Sequence, residues 1–116
     1  MTAVEEKRAT EAVEICPVDR LIPGRGVAAL LPDGRQVAIF RTVTGDVYAV
    51  SNVDPFTKAA VLSRGIIGDV KGVPHVASPM LKHRFELATG NSLDDETVAV
   101  RTYPVRVIEG VVYLQP

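Results

Sequence analysis

One cysteine, Cys16, and two histidines, His75 and His83, are the residues of this 116-residue chain best suited to bind a transition metal or to form a nucleophile–base pair. A closed zinc site or an iron–sulfur cluster takes four Cys or His donors, and a disulfide takes paired cysteines, so three donors exclude a self-contained site of any of these kinds unless carboxylates or a second chain complete it. Cys16 lies in Ile15-Cys16-Pro17, where a lone cysteine reads as a small buried hydrophobe rather than as a nucleophile activated by a histidine. His75 sits in an alternating Val73-Pro74-His75-Val76 stretch, and His83 in the basic run Lys82-His83-Arg84. Asp94-Asp95-Glu96 has the charge for cation binding or general acid work, but it lacks the glycine of a calcium loop and reads as a solvated turn. Gly24-Arg25-Gly26-Val27-Ala28-Ala29 fits a loose dinucleotide-binding pattern, yet Pro23 precedes it and Pro32 follows too soon for the helix that such a loop must open.

Composition narrows the classes further. Hydrophobic residues make up 47% of the chain but aromatic ones only 5%, with no Trp, so a core must be built from aliphatic side chains. The net charge of −1 supplies no electrostatic footprint for nucleic acid or anionic lipid. The longest apolar run, Val27 to Leu31, is far too short to span a bilayer, and the start of the chain has no apolar signal region, so the expectation is a cytoplasmic protein with no membrane partner. Residues 1–12 are charge-dense and read as a flexible leader, with a single β domain over residues 13–116.

Short β-branched runs separated by Gly, Pro, Asp and Asn predict an all-β protein with little helix. Strands are expected at Val13–Cys16, Val27–Leu31, Gln36–Thr42, Val47–Ser51, Gly65–Val70, Val73–Ala77, Arg84–Leu87, Val105–Ile108 and Val111–Leu114. Pro32-Asp33-Gly34, Gly45-Asp46 and Glu109-Gly110 supply tight turns, the first two closing a three-strand meander. Between Asn52 and Gly65 the alternation lapses into a long excursion.

Two segments carry a resemblance. Ala77-Ser78-Pro79-Met80-Leu81-Lys82-His83-Arg84-Phe85-Glu86-Leu87-Ala88-Thr89-Gly90 resembles the C-P-x-H-G-x-x-F-D-x-x-T-G stretch of Rieske-type iron–sulfur domains, retaining Pro79, Phe85, Leu87, Thr89 and Gly90. Ser51-Asn52-Val53-Asp54-Pro55-Phe56 resembles their C-x-H loop. Carried over residue by residue, Asn52 and Ser78 stand at the cysteine positions and Asp54 and Leu81 at the histidine positions, with Lys82 replacing the following glycine. Thiolates and neutral imidazoles hold a [2Fe–2S] centre, so the resemblance implies the scaffold without the ligands. The order of the other segments, from Val13 to Leu114, follows the same family.

More narrowly, Asn52 to Phe56, Val61-Leu62-Ser63-Arg64-Gly65 and Val76-Ala77-Ser78-Pro79 look like the small subunits of assimilatory NAD(P)H-dependent nitrite reductases. That resemblance implies a Rieske-like antiparallel β-sandwich or barrel with two tip loops. It also implies an accessory subunit with no catalytic residues and no cofactor of its own, partnered with a large subunit that carries FAD, an iron–sulfur cluster and sirohaem and reduces nitrite to ammonium. Pro55, Phe56, Lys58, Pro79, Met80, Lys82 and His83 would then form the partner-binding end, with Phe56 and Met80 the better candidates for exposure; for Leu81 two readings stand, joining this apolar cap or folding inward to fill the space of the cluster. The alternatives are a stand-alone Rieske-type ferredoxin, a cluster-free Rieske-like interaction module of another oxidoreductase, an enzyme using Cys16 with a histidine, and a generic small-barrel binding module.

Overall fold

A computed structural model describes residues 12–116, so the expected leader falls, apart from Ala12, outside the described residues. Ten strands follow one another: β1 (Val13–Pro17), β2 (Arg25–Leu30), β3 (Gln36–Arg41), β4 (Val47–Ser51), β5 (Ile66–Val70), β6 (Val73–Ala77), β7 (Arg84–Glu86), β8 (Thr102–Tyr103), β9 (Val105–Ile108) and β10 (Val111–Leu114). No α-helix occurs among the described residues; two 3-10 turns, Val18–Arg20 and Leu62–Arg64, interrupt the loops. No helix there is long and apolar enough to cross a membrane.

The strands form three antiparallel sheets, ordered β1-β10-β9, β2-β3-β4-β8 and β5-β6-β7. The middle sheet explains the two-layer core. Val37, Ala38, Ile39 and Phe40 on β3 are all fully buried, which is unusual for an antiparallel strand and requires cover on both faces. Because side chains alternate along a strand, Val37 and Ile39 enter one core with Ala49, Tyr103, Val112 and Leu114, whereas Ala38 and Phe40 enter the other with Val50, Leu62, Val76 and Phe85. The first core joins the middle sheet to β1-β10-β9, and the second joins it to β5-β6-β7.

The expected three-strand meander is present as β2-β3-β4, in full antiparallel register. A fourth strand joins its edge where Ala49 and Val50 pair with Tyr103 and Thr102. This two-residue strand has no sequence period to announce it. β2 begins at Arg25 rather than Val27, because Arg25 pairs with Arg41 and Gly26 with Phe40. The glycine is there for space: a Cβ on Gly26 would meet the Phe40 ring at 2.5 Å. Glu109 and Gly110 take φ of 50° and 77°, the geometry of a two-residue hairpin between β9 and β10.

Candidate functional site

The third sheet and the end of β4 position two loops side by side. The first runs from Asn52 to Gly65 and the second from Ser78 to His83. Asn52, at the start of the first, is buried and fastens it on two sides: its Nδ2 donates to Gln36 Oε1 at 3.1 Å, and its Oδ1 accepts from the Ser63 N–H at 2.7 Å. Its backbone N–H donates to Gln36 O and its carbonyl accepts from Leu62 N–H, so β3 and the 3-10 turn are tied through one residue.

Asp54 is fully buried, and its carboxylate spans the gap between the loops. One oxygen accepts from the Phe56 N–H at 2.8 Å, and the other accepts from the Ser78 hydroxyl at 2.6 Å. Ser78, itself buried, returns an acceptor to the Met80 N–H at 3.2 Å while its own N–H donates to His83 O at 2.8 Å. The short Ser78–Asp54 contact is charge-assisted and therefore among the stronger hydrogen bonds of the molecule. Two positions assigned to a histidine and a cysteine thus meet each other directly. At 24 positions apart, they carry no local signal that pairs them.

Above this bond the Phe56 and His83 rings stack, with centroids 3.8 Å apart and planes 13° from parallel, and Phe56 also meets Phe85 at 5.8 Å. Phe56 is half-buried against the second core rather than free, which corrects the expectation of an exposed ring. For Leu81, of the two readings left open, the structure takes the outward one: it is 74% exposed. The reason lies in the backbone, because Leu81 and Lys82 take φ of 62° and 59°, which turns the loop outward at that point. Met80 is exposed as expected, together with Lys58, Pro79 and Lys82, while Pro55 is half-buried. Replacing Phe56 by Asp is accordingly expected to lower the melting temperature by about 8 °C, since it removes an aromatic stack and sets a charge against the core at roughly 2 kcal/mol. A thermal melt unchanged within error would show the stack to be dispensable.

Among the Cys and His side chains, His83 belongs to this end and Cys16 lies apart from it. Cys16 pairs across β1 with Val112 and packs on the first core, whereas His75 and His83 belong to the third sheet and its loop. Burial pushes the Cys16 thiol up, the opposite of an activated nucleophile. His75 is buried on β6, and that burial lowers its pKa. Asp94 is not merely solvated: it accepts from the Arg84 N–H at 2.7 Å and from the Arg84 guanidinium at 3.0 Å, and this partner holds its carboxyl below the usual range. Asp95 accepts from the Thr97 hydroxyl and N–H, closing the same turn. Among the described residues no group of three or more His, Cys, Asp and Glu side chains is arranged to hold a metal.

Residues 11–115 match the family described as the Rieske-like [2Fe-2S] domain. The sequence is also 50% identical over 102 residues to the nitrite reductase (NADH) small subunit of Salmonella typhimurium, covering 87% of this chain and 94% of that protein. The chain belongs to the nitrite reductase small-subunit family. A crystal structure described as an NADH-dependent nitrite reductase small subunit from Mycobacterium tuberculosis superposes on it with a TM-score of 0.86 and 54% identity, covering 89% of this chain and 92% of that one. The expected Rieske-like all-β fold is therefore borne out in this small-subunit family member. A further relative, the nitrite reductase [NAD(P)H] large subunit of Klebsiella oxytoca, is 44% identical over 101 residues, which span 86% of this chain but 10% of that protein. The small-subunit fold thus also occurs as a segment of a much longer polypeptide.

Proposed function

We propose that this chain is the non-catalytic small subunit of an assimilatory NAD(P)H nitrite reductase, a cytoplasmic protein that supports assembly or activity of the large subunit. The observation that carries the reading is the Asp54–Ser78 hydrogen bond. A [2Fe–2S] centre is held by thiolates and neutral imidazoles. At the four corresponding positions this chain offers an amide, a carboxylate, a hydroxyl and an isobutyl group, two of which are spent on each other. These residues do not fit the cluster, and no electron-transfer step is assigned to them. The flavin, iron–sulfur cluster and sirohaem that reduce nitrite to ammonium belong, in this reading, to the large subunit.

The partner-binding end is then the tip. Lys58, Pro79, Met80 and Lys82 are exposed there, and Pro55, Phe56 and His83 form the half-buried base beneath them. Apolar groups rimmed by positive charge suit a protein partner. The Klebsiella relative adds support, because a domain carried within the same polypeptide as a large subunit is held at high effective concentration near it.

The test is co-expression with the large subunit and affinity purification through either chain. Wild type should co-purify without iron of its own. Met80→Asp should reduce the recovered complex by roughly 30-fold, a hot-spot loss, while leaving the melting temperature within about 2 °C, as an exposed substitution does. Stoichiometric iron and a visible absorption band in the isolated chain would sink this reading in favour of a Rieske-type ferredoxin.

A further inference from the structure

The second tip loop displays an apolar side chain where neither sequence economy nor folding calls for one. Leu81 and Lys82 are consecutive non-glycine residues in the left-handed region, at φ 62° and 59°, where Asn and Gly are at ease and a leucine is not. Leu81 is also 74% exposed, so its side chain contributes little to the core of the isolated chain. Next to it Met80, 44% exposed, and Pro79 are exposed as well, so three consecutive residues of the loop present apolar groups. Other apolar residues are exposed too, among them Val43 at 84% before β4 and Ile66 at 77% on β5, but neither sits on a left-handed backbone.

The loop that carries Leu81 is held from below. Ser78 is fastened to Asp54 in the other loop, its N–H is bonded to His83 O, and Met80 N–H is bonded to Ser78 Oγ, so both ends of the turn are fixed. A projecting side chain on a fixed turn loses little freedom on binding, which is the arrangement an interface anchor needs. Lys82 follows it directly, and Lys58 is exposed on the neighbouring loop, which the Asp54–Ser78 bond joins to this one. Their charges favour a partner surface with an acidic rim.

We propose that Leu81 is the principal anchor of this chain in its large subunit, entering an apolar socket with an acidic rim. The inference rests on the small-subunit reading above. It goes beyond it in assigning the contact to a residue whose position corresponds to a cluster ligand.

Two substitutions separate binding from folding. Leu81→Ala keeps the backbone preference and removes the side chain. It should leave the melting temperature unchanged and weaken association with the purified large subunit by about 30-fold in a titration. Leu81→Asn suits the left-handed backbone, and it should raise the melting temperature by roughly 2–4 °C while weakening association to a similar degree. Val43→Asn serves as the control and should bind as wild type does.

Opposite signs for stability and affinity in Leu81→Asn are the decisive result, since a residue that packs within its own chain would lower both. Wild-type affinity in both Leu81 variants overturns the anchor and leaves the small-subunit reading standing. A marked fall in the melting temperature of Leu81→Ala overturns it too, as does an equal loss of binding in Val43→Asn. Failure of the wild-type chain to associate with the large subunit at all removes the reading and the anchor together.

Discussion

Replacing Asp54 by Ala is expected to lower the melting temperature by about 12 °C, the effect of roughly 3 kcal/mol on a domain of this size. The substitution deletes the acceptor of two hydrogen bonds, from Ser78 Oγ at 2.6 Å and from Phe56 N–H at 2.8 Å, in a place that water does not reach. A buried donor left without a partner costs the full desolvation of that group, which exceeds the net worth of the bond itself. Ser78→Ala should cost less, about 2 kcal/mol, since Asp54 retains the Phe56 N–H. Asp54→Asn should be milder than Asp54→Ala, because an amide can accept from Phe56 and donate to the Ser78 hydroxyl. The Asp54→Ala, Ser78→Ala double variant should then fall short of the sum of the two singles by at least ~1 kcal/mol, the signature of a direct contact. Hydrogen exchange adds a local reading: the Phe56 and Met80 amides should lose protection in Asp54→Ala before the β3 amides do. Strict additivity, or a melt within about 2 °C of wild type, would mean that the loops are held together by the Phe56–His83 stack and not by this bond.

Much of the β framework was legible because each element carried a local signal. β4, β6, β9 and β10 fall at the expected residues, since each is a short β-branched run closed by a Gly, Pro or Asp turn. β8 was not legible: two residues provide no alternation, and Thr102 and Tyr103 become a strand only because Ala49 and Val50 present an edge. The division of β3 into two cores could be drawn from its uninterrupted Val37 to Phe40 run only once the sheets on both sides were known. At the tip the loops could be located by motif, but their contacts could not. Asp54 and Ser78 are 24 positions apart, and nothing local in either segment announces that one will bond the other. Phe56 and Leu81 are both apolar loop residues and look alike in sequence. Their opposite fates follow from what each backbone does, Phe56 being drawn in by the turn that Asp54 caps and Leu81 being turned out by a left-handed φ.

Gly90→Ala is expected to be the most damaging single change, lowering stability by about 4 kcal/mol and the melting temperature by roughly 15 °C. Gly90 takes φ 80°, and a Cβ there would lie 2.0 Å from the Val100 carbonyl oxygen and 3.0 Å from Thr102 Cγ2. The carbonyl belongs to backbone that cannot swing aside freely: Val100 N–H donates to Gly90 O at 2.8 Å, and Asn91 bridges to Ala99 beside it. Gly90 N–H in turn donates to Glu86 O at 2.7 Å, so the methyl group would have to part the turn after β7 from the segment leading into β8. Gly34→Ala isolates the conformational share of this penalty, because Gly34 has φ 92° with nothing within 4 Å of its would-be Cβ. That variant should lose only about 1 kcal/mol, the ordinary cost of a left-handed alanine. Equal melting temperatures for the two variants would show that the Val100 segment yields and that the close approach is unimportant. A wide gap between them would give the Thr89-Gly90 pair a reason independent of any metal: the close approach at Gly90 belongs to the packing of the second core's outer wall, where Val100 is buried, and it holds in a chain whose tip loops are joined by a carboxylate and a hydroxyl.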